Sequence, residues 1–554
     1  MESTEQKDAA LVHWVVAGTF SPAPSGRRFA VTPDDLHTHM AAAGLRKSVT
    51  VADRLGAADT RTFDVVFDKP KSFAVGELVA SIPALAALRA LAEDLGSNDV
   101  NQRPLPDAIR QRISDAVGPG KILSAVEALL SPAPAAAAKA EPAKAEEAAA
   151  PAPAASVDEI LDTKKTAPAT TTAVDSFVRA VRSGGAGSKS VTPSAAARGA
   201  RNLIEEAVFR TANEILAEPS VARWESAWRG LKMLVDQCGV NAGMTVEVVD
   251  TDAAALPDAV FEGADPDASN QPDAYFIVDA IDDVERLTAL AQAAEGALAP
   301  FVVAVSPSFF GAADAHEIAR KIEHDASSLP ETYGELRGDE ASRWLCLVAN
   351  RVVVASEGIG ATKRVAFGSP VTALAAMLAA SYRDTGAFGR IRGSDGAFKA
   401  GGTWELPSGR DAGTSLPTEA FCSINLQNRL AELGVLGIGS AKNADKVVLS
   451  IAPTVRSSPD AASLPGQILT GRVVRFGQWV RDQIPEGASA EDVKALFEQA
   501  ASVFLFPSLQ DGAALRAQVG KGADGKPAVQ IACAVSPKFA GSPFHMEFEL
   551  PLKH

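Results

Sequence analysis

The sequence predicts a mixed α/β fold made of a small module, a linker and a larger module. Residues 131–155 set the boundary, because five prolines lie there in an Ala/Lys/Glu background without a large apolar residue. Such a stretch cannot bury a core and is expected to be a semi-extended linker. After it, continuous apolar runs alternate with helical periodicity, which is typical of buried strands flanked by helices. We expect a small α+β module at 1–130, a linker at 131–197 and a larger mixed α/β module at 198–554.

The small module opens on an apolar strand, Leu11–Phe20. RRFAVTPDDLHTHM (27–40) then predicts a strand followed by a helix start, at which Thr32 or Asp34 can act as the N-cap. The other expected elements are a strand over 62–67, a helix that begins near Pro83 and carries Leu85, Leu88, Leu91 and Leu95 on one face, and a polar helix over 105–117.

The large module begins with two helices and then alternates strands with helices. Trp224, Trp228, Leu231 and Val235 are spaced four, three and four, which predicts a wide buried stripe on the second helix. The remaining helices are expected at 198–217, 370–382 and 489–505, and the strands at 244–250, 274–279, 301–305, 344–354, 445–452 and 528–536.

The last strand alternates completely between apolar and polar residues. Phe544, Met546, Phe548 and Leu550 lie on one side of this strand. An apolar strand at the end of a chain needs a partner edge. The partner is either the strand 528–536, in a hairpin, or a strand of another chain, by β-augmentation.

Composition and charge exclude several classes of function. The 554 residues are 47% hydrophobic and 22% charged, with a net charge of −15. The chain can therefore bury a core, and its overall acidity argues against nonspecific binding to nucleic acid or anionic membranes, which needs basic surface; no local basic patch stands out. No apolar run approaches the roughly 20 residues that cross a bilayer, and the polar N-terminus is unlike a signal peptide. Four scattered cysteines, Cys238, Cys346, Cys422 and Cys533, indicate a reducing compartment. We expect a cytoplasmic protein that binds no nucleic acid and does not insert into a membrane.

No local motif indicates catalysis, a cofactor or a metal. The sequence contains no phosphate-binding loop, no GxSxG and no HExxH. His37 and His39 suit a solvated turn better than a metal pair, and 434–439 is expected to be a turn rather than a dinucleotide fingerprint. The glycine-rich, basic stretch 389–402 is expected to be an ordered loop. We expect no enzyme activity, although a catalytic triad need not be local in sequence.

One stretch carries a family resemblance. EPSVARWESAWRGLKMLVD at 218–236, with Glu225, Trp228, Arg229, Gly230 and Leu231, resembles a signature of the large subunit of the type VI secretion contractile sheath, the TssC or VipB family. The likeness continues in order through most of the large module, at 299–311, 341–355, 368–393, 401–407 and 416–438. This sequence departs from the family pattern at VANRVVV (348–354) and has no clear PYG motif.

The small module resembles the small sheath subunit, the TssB or VipA family. LVHWVVAGTF (11–20), RRFAVTPDDLHTHM (27–40) and the stretch 62–95, with Pro83, Leu85, Arg89 and Leu95 in step, carry this likeness. Two families that match collinearly in one chain are more specific than either match alone. The resemblance therefore predicts the two sheath subunits fused in one polypeptide.

The resemblance implies a function without chemistry. Small–large pairs of the family polymerise into a helical cylinder around an inner tube of the Hcp type, above a baseplate, and contract to propel the tube in the bacterial cytoplasm. The expected partners are therefore further copies of this chain, an inner tube protein and a baseplate. An AAA+ unfoldase of the ClpV type is a further expected partner, since SVDEILDT (156–163) resembles the peptide it reads, with Ile160 and Leu161 as anchors; the alternative is an inert tether.

Terminal strands of the family exchange between neighbouring copies. The candidates for this inter-subunit strand exchange are Phe544, Met546, Phe548 and Leu550 in the last strand, and Val174, Phe177 and Val178 in the linker. An intramolecular hairpin is the alternative for the first set. A short amphipathic helix is the alternative for the second, because its spacing of three and four also fits a helix.

Two other functions stay open at the level of sequence. The chain can be the sheath of another phage-tail-like contractile particle, which neighbouring genes would distinguish, or an unrelated cytosolic α/β enzyme, which would need a polar pocket in a monomer or small closed oligomer. The linker also leaves open whether the small module pairs with its own large module or with that of a neighbour.

Overall fold

The computed structural model describes residues 12–95, 106–130, 193–238, 243–252, 254–261, 271–324, 329–360, 362–407, 412–458, 461–485, 487–505, 513–522 and 525–552. Its strands are β1 (Val12–Gly18), β2 (Arg27–Val31), β3 (Leu45–Ala52), β4 (Thr60–Phe67), β5 (Met244–Asp250), β6 (Ala274–Ala280), β7 (Phe301–Ala304), β8 (Leu345–Ala349), β9 (Val352–Ile359), β10 (Thr362–Gly368), β11 (Phe398–Lys399), β12 (Trp404–Glu405), β13 (Ser415–Leu416), β14 (Val435–Gly437), β15 (Gly439–Ser440), β16 (Lys446–Val448), β17 (Ala513–Lys521), β18 (Pro527–Val535) and β19 (Phe544–Pro551).

The α-helices are α1 (Leu36–Ala42), α2 (Val75–Ser81), α3 (Pro83–Leu95), α4 (Pro106–Val117), α5 (Lys121–Leu130), α6 (Pro193–Leu216), α7 (Pro219–Val235), α8 (Leu256–Phe261), α9 (Val284–Ala297), α10 (Ala315–His324), α11 (Tyr333–Gly338), α12 (Pro370–Thr385), α13 (Ile424–Glu432), α14 (Leu464–Asp482), α15 (Ala490–Ala500) and α16 (Pro537–Ala540).

A seven-stranded sheet forms the centre of the molecule, and the small module supplies two of its strands. The strand order is β14-β8-β7-β6-β1-β5-β2. Strand β1 lies between β5 and β6 and pairs in parallel with both, so that Val16 lies opposite Val248 on one side and Phe276 on the other. Strand β2 pairs antiparallel with the outer side of β5. The module before the linker is therefore built into the sheet of the module after it.

The two faces of this sheet bury different hydrophobic cores. Alternate residues of β1 point to opposite faces. Trp14 and Val16 join a core shared by the small module, α6, α7 and α12, whereas Val15 and Ala17 join a core formed with α9 and α11. The result is a three-layer α/β/α body in which apolar residues from both sides of the linker contribute to both cores.

The carboxy-terminal residues form a smaller unit with its own core. Strands β17, β18 and β19 make an antiparallel sheet in that order, and α14 and α15 cover one face of it. The apolar residues of this unit form a cluster separate from the two cores of the body. Strand β19 pairs along its whole length with β18, from Phe544 opposite Val535 to Pro551 opposite Ala528.

The mixed α/β prediction is confirmed, and several local predictions need correction. The apolar run 344–354 is two strands rather than one, because Asn350 adopts a left-handed φ of 76° and turns the chain. The stretch 434–439, which was expected to be a turn, instead contains β14 and the first residue of β15. Its apolar residues Val435, Leu436 and Ile438 are fully buried, as is typical of strands inside a body. Helix α1 begins at Leu36 with Asp35 at the N-cap position, because Thr32 and Asp35 hydrogen-bond to each other in the preceding turn.

Other helices and strands differ in length from those expected from the sequence, or were not expected at all. Strand β3 and helix α5 were not expected from the sequence, and the helix expected at 489–505 is α-helical only to Ala500. The strand expected at 445–452 spans only 446–448. Among the described helices, none alone is long and apolar enough to cross a bilayer; the bent pair α2 and α3, which meet at 110°, meets the length and composition test only when taken together.

Candidate assembly interface

Helix α7 carries the sheath-like signature and docks it against the small module. The helix begins after Glu218, whose side chain accepts a hydrogen bond from the backbone N–H of Val221 (3.0 Å), and Pro219 fits the first turn. Trp228 is fully buried, and its indole N–H donates to the carbonyl of Phe20 (2.9 Å). The Trp228 and Phe20 rings meet edge to face at 5.5 Å, an arrangement that aromatic pairs favour. The tryptophan of the signature therefore fixes the chain just after β1.

Glu225 is the centre of a buried ion-pair network. Both of its carboxylate oxygens contact the Arg364 guanidinium, with Oε1 at 3.2 Å from Nη1, and Arg229 Nε lies 2.9 Å from Oε1 as an ion pair. Arg364 also contacts Glu357 at 3.4 Å. Glu357 in turn accepts the backbone N–H of Val75 at the start of α2 (3.2 Å to Oε2). The network connects α7, the β9–β10 hairpin and the small module.

Gly230 and Leu231 pack the same helix against α12. A Cβ on Gly230 would lie 2.6 Å from Thr372 Oγ1, so the two helices approach more closely than a larger residue allows. Leu231 is fully buried. The five signature residues thus form one packing surface, with Trp228 and Glu225 facing the small module and the hairpin.

Carboxylates at the ends of β5 and β6 bind the loop that follows β1. Asp250 Oδ1 accepts the N–H groups of Phe20 (2.8 Å) and Ser21 (3.1 Å). Asp279 Oδ2 accepts both the N–H and the hydroxyl of Thr19, each at 2.8 Å. Asp250 is the last residue of an apolar strand, and a polar residue at that place was the signal in the sequence that could have identified this role.

Several ion pairs between the small and large modules place the positive charge on the same module. Lys47 Nζ lies 2.8 Å from Glu218, and Arg54 Nε donates to Glu214 at 2.8 Å. In these pairs, and at Asp250, Asp279 and Glu357, the small module supplies the cation or N–H donor and the large module supplies the carboxylate. The two modules are electrostatically complementary.

Glu247 on β5 extends this pattern across the sheet. Arg28 on β2 donates through Nε and Nη2 to its two oxygens, both at 2.9 Å, and His13 Nε2 on β1 lies 3.5 Å away. Burial alone would raise the pKa of Glu247, but the hydrogen bonds and charges of His13 and Arg28 outweigh it and lower that pKa to about 2.

The lowered pKa of Glu247 predicts a loss of stability in acid. A carboxyl whose pKa falls on folding stabilises the folded state above its unfolded pKa of about 4.5 and loses that contribution as the pH falls towards 2. We expect the free energy of unfolding of the native chain to fall by up to about 3 kcal/mol more than that of Glu247→Gln between pH 5 and pH 2, as measured by urea titration. Glu285→Gln, at an exposed position on α9, should titrate like the native chain. Parallel pH curves for the native chain and Glu247→Gln would contradict the assignment.

Strand β19 lies at the edge of the carboxy-terminal sheet. Leu550 is buried and Phe544, Met546 and Phe548 are half-buried against α14, whereas His545, Glu547 and Glu549 are exposed. The intramolecular hairpin with β18 is therefore formed. The other side of β19 has no strand partner among the described residues, and exposed charges are a common feature of edge strands.

Several predicted features fall outside the described residues or carry no chemistry. Val174, Phe177, Val178, Ile160 and Leu161 all lie in the stretch 131–192, which the structure does not describe. No group of three or more His, Cys, Asp or Glu able to hold a metal occurs in the described part of the chain. The four cysteines are buried and free, and burial raises the pKa of Cys238, Cys422 and Cys533 to about 12, which keeps these thiols protonated and unreactive.

One stretch of this chain is similar to a tail sheath domain. Residues 271–456 match the VipB family model, described as the EvpB/VC_A0108 tail sheath N-terminal domain. The matched stretch runs from just before β6 to beyond β16 and contains four strands of the central sheet. The sheath prediction is therefore confirmed for this part of the chain. Helix α7 and the carboxy-terminal unit lie outside it.

Three solved structures are similar to parts of the chain. The anti-feeding prophage baseplate is 14% identical, with a TM-score of 0.31, and the match covers 59% of this chain and 78% of that one. The contracted helical sheath of the same prophage is 16% identical, with a TM-score of 0.32 and coverage of 55% and 77%. The contracted sheath complex of the extracellular contractile injection system PVC is 14% identical, with a TM-score of 0.31 and coverage of 59% and 77%. The search of curated proteins returned no match.

Proposed function

We propose that this chain is a protomer of a contractile sheath of the type VI secretion kind, with the small and large subunits fused. In this proposal residues 1–130 take the place of the small subunit, 131–197 are the linker and 198–554 take the place of the large subunit. The observation that carries the proposal is the tail sheath domain at 271–456. The sharing of its sheet with β1 and β2 supports the pairing of the two modules within one protomer.

The proposed mechanism is assembly and contraction rather than catalysis. Protomers stack into a helical cylinder around an inner tube of the Hcp type, on a baseplate, in the bacterial cytoplasm. Contraction of the lattice drives the tube outward, and an unfoldase of the ClpV type that reads Ile160 and Leu161 then dismantles the spent sheath. Many copies of one interface with two arrangements store the energy for this movement.

In this mechanism the apolar strand β19 contributes to the lattice. Its free side can accept an extended segment of a neighbouring copy, for which Val174, Phe177 and Val178 are the proposed donors. Main-chain hydrogen bonds would supply the affinity of such a contact, and the alternate side chains would set its register. The hairpin with β18 leaves that side of the strand available.

Electron microscopy of the recombinant chain tests the function and the role of β19. We expect hollow cylinders from the full-length protein and none from a chain that ends before Phe544. A chain that ends after Leu552 is the matched control and should assemble normally. Circular dichroism and thermal unfolding of each variant separate a loss of assembly from a loss of folding.

Two outcomes would contradict parts of the proposal. Cylinders from the chain that lacks residues 544–554 would retain the sheath and remove β19 from the lattice contacts. Discrete particles from the full chain across a range of salt concentrations, even with tube and baseplate proteins present, would contradict the sheath function itself.

A further inference from the structure

Helix α14 joins the carboxy-terminal unit to the body, and Arg392 of the body adds a second contact by donating to the carbonyl of Gly541. Leu464 and Ile468 at the start of this helix belong to the main core of the body. Val473 and Val480, further along, belong to the separate core of the carboxy-terminal unit. One continuous helix therefore spans both cores, so its orientation sets that of the unit that carries β19.

A buried carboxylate holds the middle of α14 to the central sheet. Asp273, just before β6, accepts from Arg472 Nη1 at 2.7 Å and from Arg475 Nη2 at 2.5 Å. The three side chains are only 9%, 9% and 6% exposed, respectively. The same carboxylate accepts the backbone N–H of His13 on β1 at 3.1 Å. One carboxylate thus connects α14, β6 and the strand supplied by the small module.

The surrounding contacts leave α14 little freedom to shift or rotate. Arg475 Nη1 also donates to the carbonyl of Leu298 (2.6 Å). A Cβ on Gly471 would collide with that same carbonyl, so the helix backbone lies directly on the turn after α9. Arg472 and Arg475 lie three residues apart, on one side of the helix. Because both bind Asp273, rotation of α14 about its own axis would break these hydrogen bonds.

The opposite side of α14 supports β19. Leu550 Cδ1 and Phe548 Cζ lie 2.9 and 3.3 Å from the point where a Cβ on Gly477 would be. The inward side chains of the edge strand therefore rest directly on the helix backbone, about one and a half turns from Arg472. The ion pairs with Asp273 and the packing contacts with β19 therefore lie on the same helix.

We propose that Asp273, Arg472 and Arg475 are a mechanical clamp that fixes the carboxy-terminal sheet to the central sheet, so that a displacement of β19 moves the whole body of the protomer. The proposal rests on the sheath function proposed above. Asp273 is its positioning residue, because it sets the direction in which β19 is presented through Arg472 and Arg475. Without the clamp, α14 would keep its apolar contacts, which are not directional, and the hydrogen bond from the Leu464 N–H to the carbonyl of Ala452 (2.9 Å) at its first turn.

Asp273→Asn tests the clamp because it removes the charge and keeps the shape. We expect Asp273→Asn to accelerate hydrogen exchange of the α14 and β19 amides in the unassembled full-length chain by about tenfold or more, since these amides then open locally rather than with the body. Asp282→Asn is the control. Asp282 accepts hydrogen bonds from Ser306 and Ser308 at the other end of the sheet, so exchange in α14 should stay within about twofold of the native rate.

The second readout is the order of the assembled cylinder. Averaged images of Asp273→Asn cylinders should show weakened helical order or bent, broken cylinders, whereas Asp282→Asn cylinders should match the native ones. If Asp273→Asn fails to fold, Arg472→Gln serves in its place. It removes one of the two cations from Asp273, leaves the contact of Arg475 with Leu298, and is expected to loosen α14 in the same direction.

The outcomes separate the clamp from the sheath function. Native cylinders together with Asp273→Asn cylinders of unchanged order, or unchanged exchange in α14, would overturn the clamp and leave the sheath intact. A native chain that forms no cylinders with tube and baseplate present would overturn the sheath function, and the mechanical role with it.

Discussion

A protease cut between Leu130 and Pro193 is expected to leave the two pieces of the chain bound to one another. Strand β1 lies inside the sheet of the other piece, with β5 on one side and β6 on the other. Separation would expose two strand edges and open the shared core. With a protease site inserted in the linker of the full-length protein, both pieces should elute as one species on size exclusion and separate only in denaturant.

A central substitution in β1 should abolish that association. Val16 is fully buried between Val248 and Phe276, and an aspartate there would place an unpaired charge in the interior. We expect Val16→Asp to cost more than about 4 kcal/mol of stability, so that the chain aggregates or the cut pieces separate. Val66→Asp is the matched control, since Val66 lies on β4 and is 50% exposed. If the cut pieces of the unsubstituted protein separated on size exclusion without denaturant, the result would contradict the shared sheet.

The placement of β1 also bears on what the linker does. A tether of about 60 residues gives the two modules an effective concentration of up to about millimolar. The pairing itself comes from the sheet, the shared core and the complementary ion pairs. Helix α5 at the start of the linker packs on α6 at its end, where a Cβ on Gly199 would lie 3.9 Å from Leu129. The 62 residues between Leu130 and Pro193, which the structure does not describe, thus connect two helices that already contact each other, and Val174, Phe177 and Val178 lie in this stretch.

Local patterns in the sequence predicted about half of the helices and strands, those whose apolar periodicity is clear from nearby residues, and missed others such as α9 and α14. The strand at 244–250 was predicted with the bounds of β5, and the alternation of 544–550 identified β19. The helix stripe of Trp224, Trp228, Leu231 and Val235 is buried as expected. Strand β3 was missed because LRKSVTVA mixes charges and hydroxyls with its apolar residues, and its outward side is solvated.

The sheet topology could not be predicted in the same way. Val16 and Val248 are separated by more than 200 residues, and nothing in either strand specifies the other as its neighbour. The same holds for Arg364, which reads in the sequence as one polar residue of an alternating strand, yet is 6% exposed and paired with Glu225. A charged residue in a strand gives no signal of burial until the strand's partner is known.

Loss of the Glu225 charge is expected to be the most destabilising single conservative change at the junction. Glu225→Gln leaves the Arg364 guanidinium and the largely buried Arg229 without their shared counter-ion. Removal of one partner from a buried ion pair typically costs about 3–5 kcal/mol, because the remaining charge stays desolvated. We expect the free energy of unfolding in urea to fall by that amount, and hydrogen exchange at Val75 to rise as Glu357 loses its place in the network.

Two further variants make this prediction specific to the buried charge. Glu405→Gln removes a partner of Lys363, the neighbour of Arg364 in β10, from an ion pair that is 57% and 59% exposed. Its cost should stay below about 1 kcal/mol, because water screens exposed pairs. Replacement of both members, in Glu225→Leu with Arg364→Met, removes the buried charges together and should recover part of the lost stability. A cost for Glu225→Gln no larger than that for Glu405→Gln would show that the network does not hold the two modules together, and that Trp228 and the sheet pairing of β1 suffice.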